Sequence, residues 1–240
     1  MRILVVNPNT TESMTALIEQ SARAAVGPGV CVDAVNPVSG PESIESHYDD
    51  ALATPGVLAV IVEGATRGYD GFVIACFGDP GLLAARELVE APVVGIAEAA
   101  LRTAGYLGRT FSVVTTLSRT LGHSREIAYR YGVASLVGGM HACEIPVVDL
   151  ETDPTARAAI LAACEHALSV DGSDAIVLGC AGMADLARDL SRELCVPVVD
   201  GVAAATAEVE KLVRLGLKTG KRDEFAPPPP KRVYAAATTR

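Results

Sequence analysis

Residues 70–100 read DGFVIACFGDPGLLAARELVEAPVVGIAEAA, and residues 174–205 read DAIVLGCAGMADLARDLSRELCVPVVDGVAAA. In each stretch an Asp opens an aliphatic run, and a cysteine follows that Asp by six residues, Cys76 after Asp70 and Cys180 after Asp174. A Gly-containing turn and a helical pattern come next, and then PVVGIAEAA (92–100) answers PVVDGVAAA (197–205) with one residue inserted. Upstream, LVVNPNT (4–10) and SVVTTLS (112–118) occupy matching places, each as the strand that opens its half. The chain thus divides into two similar halves, 1–107 with Cys76 and 108–218 with Cys180, followed by a Pro-rich tail over 219–240.

Around the repeat, aliphatic runs alternate with helical patterns. ILVV (3–6), CVDAV (31–35), FVIA (72–75) and VVGI (93–96) read as strands of the first half. FSVVT (111–115), AIVLG (175–179) and VPVVD (196–200) supply those of the second, with apolar segments at 133–137 and 145–148 between the first two. Met14, Leu17, Ile18, Ala22 and Ala25 have helical spacing, and a helical region with breaks at Pro55 and Gly56 precedes the third strand. Further helices are predicted from about Pro80, over 97–107, from His123 to Tyr131, after the Asp153 N-cap with Pro154 in the first turn, over 183–194, and to about Lys218. Strand–helix alternation predicts an α/β fold of two pseudo-symmetric, Rossmann-like parallel-sheet halves. In such sheets ligands bind outside the carboxyl ends of the strands, so the active site is expected in the cleft between the halves.

Half of the 240 residues are hydrophobic and tryptophan is absent, which suits an aliphatic core of buried parallel strands. A net charge of −9, with basic residues scattered except near Lys218, Lys221, Arg222, Lys231 and Arg232, carries no nucleic-acid footprint. Every aliphatic run is soon interrupted, so no membrane partner is expected. The opening MRILVVNPNT is too short in its apolar part for a signal peptide, and a cytoplasmic enzyme is expected. The tail APPPPKR (226–232) reads as a surface-wrapping or disordered extension.

Six cysteines and four histidines offer no Cys-x-x-Cys spacing and no ligand cluster, so neither a metal nor a disulfide framework is expected. Cys31, Cys143, Cys164 and Cys195 sit inside strand or helix patterns and read as small core residues. Cys76 and Cys180 differ, because each leaves an aliphatic run, meets a Gly turn and precedes a helix. Helix amide groups there should lower the thiol pKa. Equivalent strand ends of duplicated halves face each other, which sets the two thiols on opposite walls. His123, His141 and His166 lie in helix or flanking segments, so a Cys–His nucleophile is not indicated. Opposed thiols suit two-base proton transfer instead: one takes a proton from carbon and the other returns one to the opposite face. The result is racemisation without a cofactor. The enolate needs donors, for which Phe77 and Gly78, Ala181 and Gly182, Asn9, Thr115, Thr116, and Ser39 with Gly40 are candidates.

NPNTTESMT (7–15), ACFGDPGLLAARE (75–87), VVTT (113–116) and LGCAGMADL (178–186) with VPVVDGVAAA (196–205) resemble the aspartate/glutamate racemase superfamily, in its hydantoin and allantoin racemase branch. The resemblance runs from residue 1 to about 218. It implies two pseudo-symmetric α/β domains, no cofactor, catalytic cysteines at Cys76 and Cys180, and a ureide or hydantoin ring held by main-chain and hydroxyl groups. Self-association into a homo-oligomer is expected. Alternatives are an amino-acid racemase or a Cys-dependent decarboxylase or isomerase, and a non-catalytic small-ligand-binding protein. A diacid substrate needs cationic or dense hydroxyl recognition, and the nearest basic residues, Arg67, Arg86 and Arg109, sit at no predicted strand end.

Overall fold

The computed structural model describes residues 1–231. The first half runs β1 (Arg2–Val6), α1 (Glu12–Ala24), β2 (Cys31–Val35), α2 (His47–Thr66), β3 (Gly71–Ile74), α3 (Leu82–Leu88), β4 (Val93–Gly95) and α4 (Ile96–Ala104). The second half repeats the series as β5 (Phe111–Thr115), α5 (Leu121–Arg130), β6 (Val137–Ala142), α6 (Ala156–Asp171), β7 (Ala175–Leu178), α7 (Ala187–Leu194), β8 (Val198–Val199) and α8 (Gly201–Arg214). Two four-stranded sheets result, ordered β2-β1-β3-β4 and β6-β5-β7-β8. Every pairing in them is parallel. Central strands β3, β5 and β7 are buried along their whole length, which is why they read as unbroken aliphatic runs.

Each sheet must be covered on both faces, and the last helix of each half covers the other half's sheet. Ala97, Ala100, Leu101 and Ala104 of α4 pack with Phe111, Val113, Ala175 and Val177. Val202, Ala205 and Val209 of α8 pack with Ile3, Val5, Val73 and Val94. Where α4 and α8 meet, Gly201 lies so close that a Cβ there would sit 2.8 Å from the Ile96 carbonyl oxygen. The exchange locks the sheets together with the carboxyl ends of their central strands around one cavity.

Four details differ from the sequence reading. Pro55 and Gly56 lie inside an unbroken α2, whose Val57 and Ile61 are buried in the core. Tertiary burial there outweighs the helix-breaking tendency of proline. Strand β6, with His141 in it, begins only at the end of the apolar segment 133–137 and stops short of 145–148, because this edge strand is half-buried and holds two glycines. Those glycines are required by Ser173 and the Asp171 carboxylate packed against them. Helix α6 starts after Thr155, and the Asp153 carboxylate instead holds the preceding turn through the Thr155 amide (2.8 Å) and hydroxyl (2.7 Å). Cys31 and Cys195 are exposed, not core residues, at the start of an edge strand and at the left-handed C-cap of α7.

Beyond α8 the chain returns to the first half. Thr219 donates its amide to the Glu90 carbonyl (2.9 Å), and Lys218 pairs with the Glu90 carboxylate (3.0 Å). Lys221 donates to the carbonyls of Arg86 and Glu87 at the end of α3. Arg232 and the rest of the tail lie outside the described residues. Among the described residues, no helix is long and apolar enough to cross a membrane.

Candidate active site

A cavity of about 220 Å³ opens at the carboxyl ends of the central strands of both sheets. Cys76, two residues beyond β3, and Cys180, two beyond β7, both line it, as do Asn9 after β1 and Thr115 and Thr116 at the end of β5. The two thiols are free and half-buried. Two lining residues join the halves, the Val147 amide donating to Glu45 Oε1 at 2.7 Å.

Both thiols stand above their ordinary pKa, the reverse of the expectation from helix amides. Burial pushes Cys180 up to about 12 and Cys76 further in the same direction. The amides of Gly182 and Gly78 offset only part of this, and each thiolate would also be repelled by neighbouring acidic groups. The local geometry explains the weakness of the amides. Cys180 precedes a 3-10 segment (Ala181–Leu186), and α3 does not begin until Leu82, beyond the turn that Asp79 and Gly81 make in the left-handed region. Burial therefore disfavours the thiolate form of both cysteines.

The other predicted contacts divide. Asn9, Phe77, Gly78, Thr116 and Ala181 line the cavity. Asn9 is set there by a knot of side chains from the NPNTTESMT stretch. Asn7 Nδ2 donates to Asn9 Oδ1 (2.8 Å) and to Thr15 Oγ1 (3.0 Å), and the Thr11 amide also donates to Asn9 Oδ1 (2.9 Å). The Asn9 amide nitrogen, whose strongest contact is Met14 Sδ at 3.2 Å, is left as a donor at the cavity wall. Thr115 also lines the cavity, but its hydroxyl donates to the Gly179 carbonyl (3.1 Å) and ties β5 to the end of β7. Gly182 lies behind the wall, against Leu150 and Met14. Ser39 and Gly40 are outside the cavity. The loop after edge strand β2 first crosses the α1 turn, where Pro41 accepts from the Thr10 amide, and reaches the site only at Ile44–Ser46.

A polar cluster carried by helix N-termini also faces the cavity, and no residue directly after a strand indicates it. His47 opens α2, which Ser46 caps by accepting from the Asp49 amide (3.1 Å), and Asp50 lies in the same first turn. His123 is the third residue of α5. The two imidazoles meet edge to face, with ring centroids 5.2 Å apart, and all three side chains line the cavity beside Cys76. Burial raises the Asp50 carboxyl, with His123, His47 and Arg130 drawing it back in part. Arg119, in the turn before α5, is a further lining residue, so a cation does reach the site. The signal that could have found these groups is the first turn of the helix after each strand, which faces the same crevice as the strand end.

The Asp/Glu/Hydantoin racemase family profile matches residues 3–209. The chain is 44% identical over 237 residues to a hydantoin racemase of Pseudomonas sp. (strain NS671), spanning 98% of this chain and 95% of that protein. It is 43% identical to a hydantoin racemase of Rhizobium meliloti, over 99% and 98% of the two chains. The solved structure of an allantoin racemase from Klebsiella pneumoniae superposes with a TM-score of 0.96 at 50% identity, covering 98% of this chain and 96% of that one. With its paired parallel sheets and one shared cavity, the chain belongs to the Asp/Glu/hydantoin racemase family and is an isomerase.

Proposed function

We propose that the protein racemises 5-substituted hydantoins or allantoin by two-base proton transfer between Cys76 and Cys180. The observation that carries this reading is that equivalent strand ends of the two halves bring two free thiols to one cavity. Relatives named hydantoin racemase and allantoin racemase, alike over nearly their whole length, support the substrate class.

The ring hydrogen at C5 lies between a carbonyl and a ring nitrogen. One cysteine, as thiolate, takes that proton while the electron pair of the C–H bond moves onto the adjacent carbonyl oxygen. The opposite thiol then delivers its proton to the other face of C5. Carbon regains four bonds with inverted configuration, and the two cysteines exchange protonation states. Solvent exchange between thiol and thiolate resets the pair. A buried thiolate is unfavourable, so its return to the neutral thiol drives the deprotonation of carbon more strongly than an exposed thiolate would. Asn9 Nδ2 and the amides of Phe77 and Ala181 are the donors that would meet the developing oxyanion.

The experiment is incubation of a single enantiomer of allantoin, and separately of 5-isopropylhydantoin, in heavy water. Optical rotation should decay to zero with one deuterium entering at C5 per inversion. Retention of rotation with both compounds sinks the reading, and decay without deuterium uptake sinks the two-base route.

A further inference from the structure

We propose that Asp50 and His123, with His47 beside them, form the subsite for a hydrogen-bonding arm on C5. This makes the ureido-bearing ring, allantoin, the preferred substrate over hydantoins with an apolar arm. The inference rests on the racemase reading above and adds to it the group that discriminates.

Three polar atoms here are buried without a hydrogen-bond partner, Asp50 Oδ1 and both ring nitrogens of His123. The nearest carboxylate to His123 on its own helix, Glu126, is 4.0 Å from Nδ1, beyond hydrogen-bond reach. Buried polar groups are ordinarily paired, so an unpaired set at a cavity wall marks a place where a ligand completes the bonding. The set is focused on one spot. A methyl group on Gly78 would lie 3.1 Å from Asp50 Oδ1, 3.3 Å from His123 Nε2 and 3.7 Å from Cys76 Sγ. The arm of a substrate whose C5 sits between the thiols is therefore within reach of both side chains.

The chemistry of the set matches a urea. Asp50 Oδ1 accepts from its N–H groups, and an imidazole N–H of His123 donates to the urea carbonyl. An isopropyl or benzyl arm would leave those atoms desolvated and unpaired, and a site of this kind rejects the analogue that lacks the polar groups. A carboxylate arm would meet the carboxylates of Asp50 and Glu45 in the same cavity, which sets it below the neutral urea despite Arg119. The ring's own polar edge is left to Asn9, Thr116 and the main chain.

The test measures kcat/KM by polarimetry for allantoin and for 5-isopropylhydantoin. The parent protein should favour allantoin by about tenfold or more. Asp50→Ala and His123→Leu should each shrink that ratio about tenfold, while Asp50→Asn, which keeps an acceptor oxygen, should retain most of it. Because the deleted atoms have no hydrogen-bond partner within the protein, Asp50→Ala and His123→Leu should melt at or above the parent Tm. An unchanged ratio in both variants overturns the proposal, as does a marked fall in Tm with both substrates lost together, which is the mark of a structural role. A parent that turns over 5-isopropylhydantoin faster than allantoin overturns this inference alone. A parent that racemises neither compound removes the proposed function, and this inference with it.

Discussion

Gly78 and Gly182 stand in equivalent places, each two residues after its cysteine, and their surroundings differ in kind. A Cβ built on either would lie 3.7 Å from the neighbouring thiol sulfur. At Gly78 its other neighbours are Asp50 Oδ1 and His123 Nε2; at Gly182 they are Leu150 Cδ1 and Met14 Cε. The contrast is systematic. Met14 and His123 are each the third residue of the first helix in their half, and each reaches across to the cysteine of the other half. Asp50 and Leu150 both come from the crossover that precedes the cysteine-bearing strand of their own half. The two halves thus share backbone topology and thiols while their walls differ, one polar and one apolar.

The helix caps show the same divergence. Asp200 caps α8 from the strand end, accepting from the amides of Val202 (2.8 Å) and Ala203 (3.1 Å). Its counterpart strand end is Gly95, and α4 is capped from a distance by Asp79, which accepts from Ala97 (3.0 Å) and Glu98 (2.9 Å). Asp79 also accepts from the Tyr131 hydroxyl of the other half at 2.6 Å. A side chain at Gly95 would collide with the Asp79 carboxylate, so the glycine and the distant cap require each other.

The comparison can be broken most sharply at the thiols. Cys76→Ser and Cys180→Ser should each lower racemisation by about a thousandfold. Each should retain deuterium exchange with one enantiomer, and the two should serve opposite enantiomers, as read by NMR in heavy water. Exchange of the same enantiomer by both variants would show that the thiols do not face opposite sides of one carbon. The next effect is on stability. Burial raises the Asp79 carboxyl to about 6 from an ordinary 3.8, against the Tyr131 hydroxyl and the Glu98 and Ala97 amides, which lower it. A raised folded pKa contributes stability that is full below about 3.8 and is lost as pH rises through about 6, roughly 3 kcal/mol in all. Asp79→Asn should flatten that segment of a denaturant-derived stability profile. Tyr131→Phe, which removes a donor to the carboxylate, should cost about 1–3 kcal/mol at neutral pH and shift the fall to higher pH. The smallest effect separates the two glycines, neither of which is in the left-handed region. Gly182→Ala presses on the movable tips of Leu150 and Met14 and should cost about 1 kcal/mol with activity largely kept. Gly78→Ala fills the polar spot and should lower allantoin turnover with a comparable change in Tm. The reverse order of activity loss would erase the distinction between the walls.

Much of this was legible in the residues. The strands that carry the site, β1, β3, β5 and β7, are buried on both faces and announce themselves as aliphatic runs. The repeat around Cys76 and Cys180 marks the two ends that share a cavity. What failed to show were elements whose burial is partial or whose partners are remote. Strand β6 hides because half-exposed strands with paired glycines have no apolar signature. The break expected at Pro55 does not occur, because local propensity is a weaker force than the packing of Val57 and Ile61. His123 and Asp50 lie 73 positions apart in the chain, and nothing local to either indicates the other.

The sequence by itself determined the strand–helix alternation, the duplication and the identity of the paired thiols, because each follows from periodicity or from residues compared at matched positions. Only the tertiary structure decided that α4 and α8 exchange sheets, that Asp50 and His123, with His47 against it, converge beside Gly78, and that burial raises both thiols above their ordinary pKa. Those outcomes depend on which buried faces meet and how much water they exclude. Such quantities arise from packing between segments far apart in the chain, and no stretch of residues carries them alone.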